Sequence, residues 1–128
     1  MTFQSATQAQ DDSHNFDTLL RSSLTDEEQT RSVVYLDEQL RTPGLVSLGG
    51  QQHQQDTPYF IAFIDRKPGA NWMHPCRYLL IDNVTHKITS IESDRPPLFG
   101  TLPPTWRIVW RSHAVDDWRL LPISRPSS

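Results

Sequence analysis

The pattern of apolar and polar residues predicts helices in the first third of the chain. Phe16, Leu19 and Leu20 recur at helical spacing, which predicts a short amphipathic helix. A second helix is predicted to begin at Thr25, because Thr25 can cap the first free amides while the Glu28 side chain reaches back to the Thr25 amide. This helix is predicted to continue to residue 42. Its apolar stripe and its stop signal are Val33, Leu36, Leu40, Pro43 and Gly44.

The second half of the pattern predicts strands. Residues 59–64 form the longest apolar run and predict a central strand covered on both faces. Residues 77–81 and 87–91 are joined by a turn-forming stretch and predict a β-hairpin. Shorter strands are predicted at residues 45–48, 106–110 and 118–121. The glutamine-rich tract 51–56 contains no core residue and is predicted to be a loop.

Together these elements predict an α+β fold, with an N-terminal helix or helices packed on a mostly antiparallel sheet of about four to six strands. A chain of 128 residues has the usual size of one domain. We place this domain at residues 13–123, between a polar tail at 1–12 that is expected to be disordered and a C-terminal tail at 124–128. Residues 95–104 contain four prolines and are predicted to wrap a surface without regular structure.

Composition and charge disfavour two classes of protein. Fifteen acidic and twelve basic residues give a net charge of -3, unlike a domain built to bind phosphate backbones. A weak nucleic-acid binder stays an alternative, because most basic residues lie in the second half; those considered are Arg107, Arg111, Arg119 and Arg125. No apolar run approaches the roughly 20 residues that cross a bilayer, so no membrane contact is expected. The polar N-terminus shows no targeting signal, and a cytoplasmic location is expected.

The loop between the predicted strands 59–64 and 77–81 collects reactive side chains. Cys76 could act as a nucleophile with His74 or His113 as its base, which describes a small cysteine-dependent hydrolase or transferase. The alternative is that Cys76 is buried and inert, as free cysteines commonly are. His74 and Cys76 could also bind a metal, but the paired short spacings of structural zinc sites are missing. We therefore expect no metal and no cofactor.

The preferred hypothesis is a non-catalytic protein-binding or regulatory module rather than an enzyme. Its contact surface is predicted to combine the Trp72 loop with the proline-rich segment 95–104, since rigid prolines lose little entropy on binding. The predicted contact residues are Asn71, Trp72, Arg77 and Phe99. The expected partner is another protein.

Residues 68–97 also carry a resemblance to a known kind of sequence. The stretch Pro68-Gly69-Ala70-Asn71-Trp72-Met73-His74-Pro75-Cys76-Arg77-Tyr78, followed by the predicted hairpin and Pro96-Pro97, resembles a bacterial segment that adjoins legumain-like cysteine peptidase domains. The stretch contains no catalytic motif of that peptidase family. The resemblance therefore implies an accessory or regulatory module, and it assigns no catalytic residue.

Overall fold

The computed structural model describes residues 16–70, 73–97 and 101–124. Helix α1 covers residues 16–22, and helix α2 covers Asp26–Arg31. The strands are β1 (Val33–Arg41), β2 (Gly44–Leu48), β3 (Gln51–Gln55), β4 (Tyr59–Asp65), β5 (Cys76–Asp82), β6 (Ile88–Ser93) and β7 (Trp106–Arg111). A short 3-10 helix, Asp117–Arg119, follows the last strand.

Five of the strands form one sheet, in the order β6-β5-β4-β1-β7, and each neighbouring pair is antiparallel. Strand β4 lies in the centre, as its apolar sequence predicted, and β5 with β6 forms the predicted hairpin. Strands β2 and β3 form a separate two-stranded sheet. The α+β class and the mostly antiparallel sheet are therefore confirmed.

The central strand is buried along its whole length because its two faces belong to two apolar clusters. On the first face, Phe60, Ala62 and Ile64 share a cluster with Phe16 and Leu20 of α1. On the opposite face, the β4 residues share a cluster with the β2–β3 hairpin and with the C-terminal part of the domain. This second cluster includes Ile61 and Phe63 of β4, together with Val46, Leu102 and Val115. Side chains alternate between faces along a strand, so one run of apolar residues serves both clusters.

The predicted second helix is wrong beyond Arg31. Its start is correct: the Glu28 amide donates to Thr25 Oγ1 at 3.1 Å, and the Thr25 amide donates to Glu28 Oε1 at 2.9 Å. The chain then becomes extended, and β1 occupies the place of the predicted second half. Residues 33–36 are uninterrupted valine, tyrosine and leucine, which suit a strand buried on both faces. Pairing with both β4 and β7 outweighs the helical spacing.

The prediction of a loop at residues 51–56 is also wrong. Gln51–Gln55 is strand β3, and it pairs with β2 through a turn at Gly49 and Gly50. Both glycines have positive φ angles, +59° and +83°, which this tight turn requires. Since strand pairing uses backbone groups, the glutamine side chains can remain largely in solvent.

The predicted edge strand at residues 118–121 is absent from the described part of the chain. The 3-10 helix occupies its first residues, and Trp118 is largely exposed rather than paired in a sheet. A single parallel bridge joins Leu102 to Ile123 instead. The Leu102 amide donates to the Pro122 carbonyl at 2.9 Å, and the Ser124 amide donates to the Leu102 carbonyl at 2.8 Å. These bonds hold one end of the proline-rich segment against the C-terminal residues.

Candidate functional site

The loop between β4 and β5 is fixed by a buried acid at its base. Asp65 Oδ1 accepts a bond from the Lys67 amide at 3.0 Å and lies 2.8 Å from His74 Nε2. The His74 amide donates to the Asp94 carbonyl at 2.9 Å. Burial raises the pKa of Asp65, although the Lys67 amide and His74 oppose that shift. The loop is thus tied to Asp94, the residue that precedes the proline-rich segment.

Of the four predicted contact residues, three lie outside the described residues and the fourth is buried and bonded. Asn71, Trp72 and Phe99 lie outside the described residues. Arg77 is buried, and its Nε and Nη2 atoms donate to the Glu28 carboxylate at 3.1 and 2.8 Å. Its remaining bonds go to the Ser23 carbonyl and to Ser90 Oγ. Arg77 therefore joins β5 to the start of α2 rather than facing solvent.

Cys76 is completely buried at the start of β5, opposite Asp65 in the strand register. Burial, assisted by the Asp65 charge, raises the pKa of the Cys76 thiol to about 12. The thiolate that a nucleophile requires is therefore scarce at neutral pH. His113 is exposed just after β7, and two strands separate β7 from β5, a spacing of about 14 Å. The sheet does not bring this imidazole to the thiol.

We expect iodoacetamide to label Cys76 at least ~100-fold more slowly in the native protein than in the unfolded chain at the same pH, because labelling requires local opening. Mass spectrometry of samples quenched over time measures both rates. The chain has one cysteine, so each labelled molecule reports on this site alone. Native labelling that is fast and rises steeply between about pH 5 and 7 would show a reactive thiolate and restore the cysteine-enzyme hypothesis.

A cleft on the sheet face opposite α1 is the stronger candidate site. We call it the hairpin cleft, because it lies between the β2–β3 hairpin and the proline-rich residues 95–97 and 101–103. Its volume is about 600 Å³. Its apolar lining residues are Val46, Leu48, Ile61, Pro96, Pro97, Leu102, Pro103 and Trp106. A volume of this size lies within the range found for ligand pockets, and pockets of that kind are mostly lined by apolar side chains.

Two arginines give the hairpin cleft its charge. Arg41 and Arg95 are among the described lining residues, and these include no carboxylate, imidazole or thiol. Arg41 Nη2 donates to the buried Asp37 Oδ2 at 2.7 Å, whereas Arg41 Nε is buried without a hydrogen-bond partner. The Arg95 carbonyl accepts a bond from the Tyr78 hydroxyl at 2.7 Å. The cleft therefore favours an anionic group, and the one phenol in its described lining, Tyr78, is already bonded to the Arg95 carbonyl.

Sequence reasoning did not find Arg41 or the hairpin that forms one wall of the cleft. The helix prediction placed Arg41 at a helix end, and the loop prediction removed β3. The glycine pair between two segments of equal length was a signal that could have identified the hairpin, since Gly-Gly is typical of two-residue hairpin turns.

A second cavity of about 650 Å³ lies beside the β4–β5 loop, with Pro68 and Pro75 in its wall. Its charged groups are largely paired with one another. Arg31 pairs with Glu27 at 2.9 Å, and Arg66 pairs with Glu28 at 2.7 Å. Because these charges are already paired, the second cavity offers a ligand fewer unpaired charged groups than the hairpin cleft does.

The basic residues considered for nucleic-acid binding are also engaged. Arg107 pairs with Asp17 and Glu38, and Arg111 pairs with Asp117. Arg119 lies over the Trp118 ring, and Arg125 lies outside the described residues.

Comparison of the chain with known proteins leaves its family open. No protein-family model, curated protein or solved structure matches it. Within the residues that the structure describes, no group of three or more histidine, cysteine or acidic residues could hold a metal ion. The described helices are all too short or too polar to cross a membrane. The hairpin cleft is thus the feature from which a function can be argued.

Proposed function

We propose that this chain is a non-catalytic binding module that takes an extended segment of a partner protein into the hairpin cleft. The observation that carries the proposal is the cleft itself, a largely apolar space of about 600 Å³ with no carboxylate, imidazole or thiol among its described lining residues. Burial of an apolar side chain there would supply the affinity. The proline-rich wall would lose little entropy on binding, because prolines restrict its backbone before the partner arrives.

The edge of β2 favours a peptide over a compact small molecule. Residues 46–48 of β2 line the cleft, whereas no residue of β3 does. Strand β2 pairs with β3 on one side only, and no other described strand pairs with its second edge. An extended peptide could therefore pair its backbone with β2 while it places a side chain in the cleft.

A role beside a cysteine peptidase, implied by the resemblance of residues 68–97, stays a prediction. The arrangement of Cys76 supplies no observation in favour of the hydrolase or transferase alternative, because its thiol is buried and its pKa is raised.

Filling the cleft tests the proposal. Thr101 is exposed and lines the cleft, so Thr101→Trp should place an indole in it without disturbing the core. A phage-displayed library of random peptides is selected on the wild-type protein, and the affinities of the enriched peptides are measured by fluorescence anisotropy. We expect Thr101→Trp to weaken their binding at least ~10-fold, about the effect of excluding one buried side chain.

The matched control is Thr18→Trp, the same substitution at an exposed position of α1 on the other face of the sheet. It should leave the affinity within about twofold, since surface substitutions away from a site have small effects. If no peptide is enriched, or if Thr101→Trp and Thr18→Trp affect binding equally, the hairpin cleft is not the binding site.

A further inference from the structure

The cationic side of the hairpin cleft carries an inference that rests on the proposed function and specifies its ligand. We infer that the cleft selects a peptide bearing a carboxylate, which Arg41 and Arg95 bind beside the β2 edge. Arg41 and Arg95 both line the cleft, and its described lining residues include no carboxylate. A guanidinium can bind the two oxygens of a carboxylate at once, so the pair of arginines matches this group in shape and charge.

Arg41 has donor capacity that the fold leaves unused. A guanidinium has five N–H donors, and the structure pairs Nη2 with Asp37. The Nε atom is buried and has no hydrogen-bond partner. A buried donor without an acceptor is unfavourable, so the fold leaves the hydrogen-bonding capacity of Arg41 incompletely used. The Arg41 side chain is 37% exposed and lines the cleft, so part of it is accessible to a ligand there.

The backbone of Arg95 is held by two hydrogen bonds, and its side chain lies beside the hairpin turn. The Arg95 amide donates to Ser93 Oγ at 3.0 Å, and the Arg95 carbonyl accepts a bond from the Tyr78 hydroxyl at 2.7 Å. Its guanidinium lies against Gly50, where an added Cβ would be 2.6 Å from Arg95 Nη1. Among the described residues no hydrogen bond or ion pair engages this guanidinium, so its charge is available to a ligand in the cleft.

The charge balance favours a carboxylate over a phosphate. Asp37 is buried beneath Arg41 and neutralises one of the two positive charges. The remaining single charge matches the single negative charge of a carboxylate better than the nearly double charge of a phosphate group.

The test uses synthetic peptides derived from a library-selected sequence that contains one glutamate. Four versions combine glutamate or glutamine with a free or an amidated C-terminus, so an acidic side chain and a terminal carboxylate are distinguished. Binding to the wild type, Arg95→Gln and Arg21→Gln is measured by fluorescence anisotropy. Arg21 is exposed on α1, across the sheet from the cleft, and serves as the matched removal of one positive charge.

We expect Arg95→Gln to weaken the carboxylate-bearing peptide about tenfold and to leave the neutral peptide within about twofold, because the lost contact is a charge-assisted hydrogen bond. Arg21→Gln should change both affinities by less than about twofold. Arg41→Lys keeps the charge beside Asp37 but loses the planar guanidinium, and it should reduce the preference for the carboxylate without unfolding the protein.

Equal effects of Arg95→Gln on both peptides, or equal effects of Arg95→Gln and Arg21→Gln, would overturn the carboxylate inference. The hairpin cleft would then remain the proposed peptide-binding site, provided that Thr101→Trp still weakens binding of the peptides. If Thr101→Trp does not block them, the proposed function fails instead, so the two failures are distinguishable.

Discussion

Replacing Glu28 by glutamine is expected to destabilise the fold by about 3 kcal/mol and to lower the melting temperature by about 10 °C. The Glu28 side chain is buried and accepts bonds from Arg77 at 2.8 and 3.1 Å, from Arg66 at 2.7 Å and from the Thr25 amide at 2.9 Å. Glutamine keeps the shape but leaves the buried Arg77 cation without its counter-charge, the costly outcome for a buried ion pair. Urea unfolding followed by circular dichroism measures the loss.

The control is Glu27→Gln, the same change one residue earlier. Glu27 pairs with Arg31 on the surface, where both side chains are more than half exposed. Pairs of this kind contribute little, so the expected loss is within about 0.5 kcal/mol. Equal losses for the two variants would show that the buried cluster does not stabilise the fold.

The Glu28 cluster also predicts a dependence on pH. Burial alone would raise the pKa of Glu28, but bonds from Arg77, the Thr25 amide and Arg66 lower it below its ordinary value. A carboxyl whose pKa is lower in the folded state stabilises the fold above its unfolded pKa of about 4.3, and the contribution is lost as the pH falls through the folded value. The stability difference between wild type and Glu28→Gln should therefore be full at neutral pH and shrink in acid below about pH 4.

Replacing Phe63 by alanine is expected to destabilise the protein by about 4 kcal/mol. Phe63 is fully buried in the central strand β4, and its ring lies 5.1 Å from the Tyr78 ring and 6.1 Å from the Tyr35 ring. Truncation removes this packing and leaves a cavity that the sheet, held on both sides by strand pairing, cannot close. Denaturant unfolding again gives the change in free energy.

Trp118→Ala is the matched aromatic truncation at the surface. Trp118 is 71% exposed, and its removal should cost less than about 1 kcal/mol. A loss for Phe63→Ala no larger than that for Trp118→Ala would mean that the β4 residues do not form the core described here. The Phe63→Leu variant should fold, and its loss of unfolding free energy should lie between those of Phe63→Ala and Trp118→Ala, because leucine fills part of the space.

The sequence predicted the parts of the fold whose signals are local. Residues 59–64 could be assigned as a central strand because an unbroken apolar run of that length suits burial on both faces. The capping of the start of α2 by Thr25 and Glu28 could be predicted because both residues lie within one helical turn. Both predictions depend on neighbours in the chain and on nothing farther away.

The wrong predictions have a common physical cause in partners that are distant along the chain. Val33, Leu36 and Leu40 fit a helical stripe, yet β4 and β7 supply hydrogen bonds on both sides of β1 that no local pattern reveals. The polar strand β3 forms because its backbone pairs with β2. Such backbone hydrogen bonds require no particular side chains, so the sequence of β3 does not reveal them.

The candidate site was the least predictable part of the molecule. The loop containing His74 and Cys76 attracted attention because its residue types can perform chemistry, but burial decides their reactivity and is not visible in the sequence. Arg41 and Arg95 lie on separate segments, and only the folded hairpin brings them to one cleft. A single sequence offers no means of pairing such residues.

The position of β1 between β4 and β7 has a consequence for how the chain folds. Val33 pairs with Asp65 on one side and with Arg111 on the other, so the sheet closes around a strand from the opposite end of the domain. Strands so far apart in sequence lose the entropy of loop closure before their contacts can stabilise the pair. Folding is therefore expected to be slower than that of a helical domain of similar size. During synthesis β1 keeps one unpaired edge until β7 has emerged, and that interval is when the nascent chain is most open to misassembly.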